Sequence, residues 1–577
     1  MNISYQWLKR FLAVDLDPKR VDELLTDTGL EVEGVHEVES IKGGLRGVIV
    51  GEVLTCEQHP NADRLRVTTV NIGEEEPVQI VCGAPNVAAG QKVPVATVGT
   101  RLYPGGEELK IKKGKIRGEV SFGMICAEDE LGLGNDHDGI MVLDPSLKPG
   151  TPCAEVFNIE SDFVFEIGLT PNRTDAMGHI GVARDLRAAL LVKGEESPKL
   201  IAPKGTYQTE GNNPVALTIE SEMCPSYYGT YFTGVQVMES PDWLKNSLTA
   251  IGLTPKNNVV DITNYVLHTF GHPLHAFDAE KLSGQKVIVR QAKEGEKITT
   301  LDDVERELSA HDLVIADERK PVCIAGVLGG ADSGVSQSTT SVYLEGAYFD
   351  AVSVRKTAKR HGINSDASYR YERGVDPNST DAAHAYAAAL ICELTGATAS
   401  VADHQGTTDF PKLEITFSFE KVCKLIGVEM SIESASDILK WLDFEIIGLN
   451  GDQWTVKVPT YRVDVTRDVD IAEELLRIYG FNNVEIPSGM RISVAKHDPR
   501  PDKIEKSVLD QLTGNGFFEI MNNSLSKGAD YESLQSEVSG NLIEMLNPLS
   551  QDLNVMRNNM LFGGLTAIGF NQKRQQS

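Results

Sequence analysis

Between Gly47 and Leu143 the sequence breaks into short runs that alternate apolar and polar residues: Val48–Val53, Leu65–Asn71, Val78–Val81 and Lys92–Val98. Gly and Pro punctuate them at the spacing of a small antiparallel β-barrel, and few other folds accept that pattern. The flanking sequence has a different texture. Ser4–Leu12 and Pro18–Leu25 carry apolar residues at helical spacing, and Glu31–Val35 alternates like a strand, so an α/β piece precedes the barrel.

At 577 residues the chain exceeds what one hydrophobic core can organise, and about three to five domains are expected. The 41% apolar and 24% charged content is that of ordinary globular protein. No apolar run approaches the roughly 18 residues of a membrane span, and Met1–Leu8 lacks the basic and apolar regions of a secretory signal; a cytoplasmic protein is expected. Eight cysteines without a C-x-x-C pair argue against zinc ribbons and disulfide frameworks. The net charge of −28 argues against nucleic-acid binding by bulk charge, so such contacts would need local basic patches.

One such patch exists: Lys110, Lys112, Lys113, Lys115 and Arg117 lie within eight consecutive residues of the barrel region. Around it stand His59-Pro60-Asn61-Ala62-Asp63-Arg64-Leu65, Val81-Cys82-Gly83-Ala84-Pro85-Asn86-Val87 and Ser121-Phe122-Gly123-Met124-Ile125-Cys126-Ala127 with Glu130-Leu131-Gly132-Leu133-Gly134. These segments resemble the tRNA-binding OB-fold module of several tRNA-handling proteins, which holds nucleic acid in a positive groove. Phe165–Asp175 and Gly178–Ala188 follow, with Thr174 or Asp175 as expected cap of a helix through Ala189. From here the chain resembles the β subunit of bacterial phenylalanyl-tRNA synthetases.

That resemblance implies a multidomain α+β protein. An N-terminal α/β domain would be split (1–39 and 151–200) around the OB-fold (40–150). An α+β editing domain (210–400), a small mixed domain of the B5 type (408–487) and an incomplete class II synthetase-like domain (495–577) would follow. Lys193–Asn213, poor in apolar residues, reads as a linker, as does Gln405–Lys412. The resemblance also implies that the rest of the last domain and a ferredoxin-like anticodon-binding domain belong beyond Ser577.

The chemistry concentrates in Val260–Val266 and Gly271–Asp278, which mix hydroxyl, amide, imidazole and carboxylate groups with apolar residues in the manner of a pocket or of a capped loop. Ile324–Ala331 offers glycines for close backbone approach, and Val342–Phe349 is a strand pattern carrying a lone carboxylate, Glu345. Ala325–Gly330 has neither the lysine of a phosphate loop nor G-x-G-x-x-G spacing, which rejects a nucleotide site. No G-x-S-x-G elbow supports a serine nucleophile. In the family this domain hydrolyses tyrosine mischarged onto phenylalanine tRNA. The resemblance implies that Thr263, Asn264 and His275 line the pocket, Ala325 and Gly329 form its wall, and Glu345 meets the tyrosine hydroxyl, with His275 placing the hydrolytic water.

Asp470, Glu473 and Glu474 share one helical face with Asp464 just upstream, as favourable charge at a helix N-terminus or as a cluster. The resemblance implies that these four hold Mg2+. It further implies an α2β2 heterotetramer with the α subunit, which binds ATP and phenylalanine where this chain does not, and tRNA(Phe) as the other partner, with no membrane. The runner-up function is a non-catalytic tRNA-binding and assembly scaffold. A magnesium-dependent hydrolase centred on Asp464–Glu474 is disfavoured because no nucleophile accompanies the acids.

Overall fold

In the computed structural model the strand Ser161–Ile167 lies between Asn2–Ser4 and Val32–Glu39, antiparallel to both. The chain therefore returns, after the barrel, to the sheet its first residues began. All residues are described except 135, 158, 160, 196–198, 487, 490, 491, 494–498, 533–541, 576 and 577. Part of the expected Lys193–Asn213 linker and the last two residues of the chain lie outside this set. The chain divides into two units, residues 1–485 and 486–577.

The N-terminal helices run Tyr5–Lys9, capped by the Ser4 hydroxyl, and Pro18–Asp27, capped by Asp17. The helix expected to begin at Thr174 or Asp175 instead spans His179–Val192, with Gly178 as its N-cap. Residues 174–176 form a separate short turn, because the Asp175 carboxylate is engaged by Arg173 (3.0 Å) rather than by backbone amides. Trp7 is stacked between His179 (4.1 Å) and Tyr265 (4.3 Å) and donates to the Thr269 hydroxyl (3.2 Å). This aromatic sandwich joins both parts of the first domain to the helix that carries Thr263 and Asn264.

The barrel sheet runs Gly123–Ile125, Lys92–Thr97, Val48–Gln58, Arg66–Asn71, Val78–Cys82. The Phe122 amide bonds to the Gln79 carbonyl (2.9 Å), bringing the first strand back to the last.

The next domain packs two five-stranded sheets face to face. One carries Leu274–Asp278, Ser341–Tyr348 and Ser226–Thr233; the other carries Ala216–Ile219, Lys286–Gln291, Leu313–Ala316, Pro321–Ile324 and Leu328–Gly329. Tyr227, Phe277 and Tyr343 of the first meet Cys323, Ala325 and Val327 of the second in one apolar core. The opposite face of the first sheet, with Ala276, Val342 and Leu344, is covered by the helices Asn258–Phe270 and Thr380–Thr395.

A three-stranded sheet (Glu414–Ser418, Gln453–Lys457, Glu445–Asn450) and the helices Phe419–Ile426, Ile432–Trp441 and Asp468–Tyr479 build the last part of the first unit around Trp454. The second unit contains the helices Arg500–Gly514 and Leu561–Lys573 and a strand pair, Leu525–Ser526 with Val555–Met556. All eight cysteines are free. Among the described residues no helix is long and apolar enough to cross a membrane.

Candidate functional site

Val260–Val266 is not a loop: it lies within the helix Asn258–Phe270. The Asn257 side chain accepts the Val259 and Val260 amide hydrogens (3.1 and 3.0 Å), and Gly271 stops the helix at φ +73°, where a side chain would be strained. The next residues are fixed by hydrogen bonds. His272 is fully buried with Nε2 against the Ala347 carbonyl (3.1 Å), and the Tyr371 hydroxyl donates to the Pro273 carbonyl (3.1 Å). The strand Leu274–Asp278 therefore begins in a set register, and His272, of the two close histidines, is the structural one.

That register places His275 directly opposite Glu345, which in turn faces Gly229 on the third strand. Side chains so paired share one face of the sheet about 5 Å apart. Gly329, from the second sheet, closes on the same imidazole: a Cβ there would lie 2.6 Å from His275 Cε1 and 2.9 Å from Nε2. Glycine is required at 329 for this approach. The Phe277 ring meets the imidazole edge-on at 4.5 Å.

The electrostatics of the pair are dominated by burial. Glu345 is 5% exposed and its carboxyl is pushed up to about 8; His275 is pulled down to about 4, so its imidazole is neutral near neutral pH. His275 Nε2 and Glu345 Oε2 are both sealed from solvent and, among the described residues, without a hydrogen-bond partner. Buried polar groups in folded proteins are almost always paired, so two facing orphans are an exception to the rest of the fold.

Of the other residues assigned to this pocket, Ala325 lies in the core between the sheets, its amide bonded to the Leu313 carbonyl (3.0 Å). Thr263 and Asn264 sit on the helix that feeds the His275 strand. The Thr263 hydroxyl donates to the Val260 carbonyl (2.7 Å), Asn264 is half-buried, and among the described residues no hydrogen bond ties either to His275 or Glu345. Tyr227 and Tyr343 were not singled out from the sequence, yet their hydroxyls are also buried and unpartnered beside Glu345. The period-two rule held the signal for Tyr343, which lies two residues before Glu345 on the same strand face.

In the barrel, Lys110, Lys112, Lys113, Lys115 and Arg117 are all exposed. His59 explains the motif beside them. Its Nδ1 accepts the Asn61 amide hydrogen (3.0 Å), which leaves Nε2–H to donate to the Ile116 carbonyl (3.1 Å), pinning the basic hairpin to the barrel. Lys113 stands 4.5 Å over the Phe122 ring. A cleft of about 580 Å³ opens here, lined by Gly83, Ala84, Lys110, Lys112, Ser121 and Met124 among others. Cations and exposed rings beside an open cleft suit a single strand's phosphates and bases.

In the acid cluster the four carboxylates already have protein partners or face solvent. Glu474, 1% exposed, is held by both Arg462 and Arg477, the latter at 2.7–2.9 Å, and Arg477 also reaches Asp185 (3.1 and 3.2 Å). Asp464 pairs with Arg462 (3.0 and 3.1 Å). Asp470 accepts the Thr466 and Arg467 amide hydrogens (2.9 Å each), and Glu473 is exposed. Among the described residues no three metal-ligating side chains gather. The helical spacing was right, but the carboxylates turn to arginines and amides, and the donor set as arranged does not fit a magnesium ion.

Comparison with known proteins covers the whole chain. The phenylalanine–tRNA ligase β subunit of Bacteroides thetaiotaomicron is 50% identical over 583 aligned residues, spanning 100% of this chain and 71% of that one. The chain belongs to the phenylalanine–tRNA ligase β-subunit family. The Porphyromonas gingivalis β subunit is 49% identical over 584 residues (100% and 71%), and that of Chlorobaculum tepidum 40% over 580 (99% and 70%). Four family patterns match: a putative tRNA-binding domain at 48–152, a B3/4 domain at 223–396, a tRNA synthetase B5 domain at 415–481 and a phenylalanyl tRNA synthetase β chain CLM domain at 486–577. The chain is thus the β subunit of an aminoacyl-tRNA ligase with a tRNA-binding barrel, and His275 and Glu345 fall within its B3/4 domain.

Proposed function

We propose that the B3/4 domain of this chain hydrolyses tyrosine esterified to tRNA(Phe), and that the exposed cations of the barrel help hold that tRNA. The observation that carries the reading is the facing pair His275 and Glu345: His275 Nε2 and Glu345 Oε2 are both sealed from solvent with no hydrogen-bond partner among the described residues, and Gly329 closes on the imidazole.

The chemistry calls for two different contributions. A synthetic pocket shaped for phenylalanine cannot strongly reject a molecule that merely adds a hydroxyl, whereas a second pocket built to bond that hydroxyl can reject the analogue lacking it, by about 10⁴ or more. Glu345 supplies that selectivity: with phenylalanine bound its buried oxygen would stay unpaired, at a cost of about 1–3 kcal/mol. His275, neutral because burial disfavours the imidazolium, is a poor base but a sound acceptor. Its Nε2 would orient a water at the ester carbonyl, which suffices for an activated ester. Ala325 would contribute to the wall, and Thr263 and Asn264 to the rim, of the pocket.

In this reading the chain works with an α subunit in an α2β2 assembly, in the cytoplasm. ATP and phenylalanine are bound by α, and the CLM region is a catalytically silent synthetase-like domain that packs on it. No step of the chemistry involves the acid cluster.

Single-turnover deacylation of Tyr-tRNA(Phe) by the chain tests the reading. His275→Ala should slow it by at least about 100-fold, within the usual range for a positioned acid–base group, while tRNA affinity is retained. Unchanged deacylation would return the domain to a binding scaffold.

A further inference from the structure

Two tyrosines share the buried face that holds the Glu345 carboxyl. Tyr343 is two residues earlier on the same strand and faces Phe277 across the register; Tyr227 lies on the neighbouring strand, two residues before Gly229, the partner of Glu345. Both rings are fully buried, and both hydroxyls, like Glu345 Oε2, lack a hydrogen-bond partner among the described residues. Gly229 makes the arrangement possible, since a Cβ there would overlap the Tyr343 hydroxyl. Tyr227 is close enough to Glu345 to offset part of the effect of burial on its carboxyl, and close enough to Tyr343 to do the same there, yet no bond of ordinary geometry is made.

We infer that Tyr227 and Tyr343 are specificity-determining residues which, with Glu345, form a receptor for one hydroxyl group. This rests on the hydrolytic reading above. The donor and acceptor inventory carries the argument. Phenols as deeply buried as these stay un-ionised, and each offers an O–H; Glu345 offers an unfilled acceptor oxygen. The group that completes the set must donate to the carboxyl and accept from a phenol at once. A tyrosine hydroxyl does both, whereas the edge of a phenylalanine ring does neither and leaves all three groups unpaired. Rejection of phenylalanine is then shared among three residues instead of resting on one carboxylate.

The test compares hydrolysis of tyrosyl- and phenylalanyl-tRNA(Phe) by the chain carrying Tyr227→Phe or Tyr343→Phe, with the unsubstituted chain and Glu345→Ala alongside. Each Phe variant keeps the ring and its packing, and a urea-unfolding midpoint equal to that of the unsubstituted chain reports that the domain is folded. The expected result is a fall of about five- to ten-fold in the tyrosyl/phenylalanyl ratio of kcat/KM, the worth of one hydrogen bond. Binding of a non-hydrolysable 3′-amide-linked tyrosyl-adenosine should weaken by the same factor, and the phenylalanyl analogue should not. If the ratio holds, or if both substrates suffer equally, the tyrosines are packing residues and the inference falls while the hydrolytic reading stands. If the unsubstituted chain hydrolyses neither ester and binds neither analogue, the hydrolytic reading itself falls and takes this inference with it.

Discussion

Glu345 and Glu474 are both nearly sealed from solvent, and both were read from the sequence as members of ligand sites, yet their surroundings are opposites. Glu474 is surrounded by the guanidinium groups of Arg462 and Arg477, which hold its carboxyl far below the usual range against the opposing effect of burial. Among the described residues Glu345 has no cation beside it, and burial pushes its carboxyl up to about 8. A buried acid already saturated by arginines belongs to the architecture: this one welds the Asp468–Tyr479 helix, through Arg477 and Asp185, to the His179–Val192 helix. A buried acid left unsaturated has a bonding position to offer a ligand.

The largest effect expected from this contrast is on stability. Glu474→Gln removes the carboxylate that two buried guanidiniums share, leaving Arg462 with Asp464 and Arg477 with Asp185, and breaking such a buried pair costs about 3–5 kcal/mol. Urea unfolding of the first unit should shift by that order. At pH 4.5, before the raised carboxyl begins to cost stability, Glu345→Gln removes no partner and should change stability by no more than about 1 kcal/mol, since an unpaired buried carboxyl contributes little favourable energy. Equal losses in the two variants would erase the distinction.

The pH dependence of stability should carry opposite signs. For Glu345 the folded-state value is raised, from an ordinary 4.5 to about 8. Its contribution is complete below 4.5, where both states are protonated, and is lost as the pH rises toward about 8, with a limiting slope of about 1.4 kcal/mol per pH unit. For Glu474 the folded-state value is depressed, so its contribution is present above 4.5 and is lost as the medium is acidified. Thermal melts across this range should show Glu345→Gln flattening the alkaline decline and Glu474→Gln flattening the acid one. A Glu345→Gln variant whose alkaline decline is unaltered would place the carboxyl in contact with water.

Much of this contrast could be approached from the sequence, but the deciding part could not. The alternation in Val342–Phe349 gave the strand and the face of Glu345, and the i, i+3, i+4 spacing gave the shared helix of Asp470, Glu473 and Glu474. The tRNA-binding motifs were legible as a barrel because Gly, Pro and the His59 turn are local devices. Two things were not legible. Val260–Val266 carries helical residues that the loop alternative did not foresee, because its polar groups include ones buried and hydrogen-bonded within the fold, such as Asp261 bonded to Ser240 (2.6 Å). The arginines that neutralise Glu474 come from 12 residues upstream and three downstream and bring in Asp185, 292 residues from Arg477, so pairing was decided by tertiary packing.

The smallest effect expected is that of magnesium, and it tests the saturated half of the comparison directly. For Glu474 to ligate an ion it would have to leave Arg462 and Arg477, breaking a buried pair with each at a cost of about 3–5 kcal/mol. Asp470 would give up two amide hydrogen bonds as well. A magnesium ion that retains several waters and gains one or two carboxylates does not recover that much. The melting temperature in millimolar magnesium and in EDTA should therefore agree within about 1 °C, against the about 2–4 °C that 1 kcal/mol of selective binding would produce in a domain of 150–250 residues. A shift of that size, abolished by Glu473→Gln, would show that the arginine clamp opens for an ion and that saturation is a resting state of the cluster.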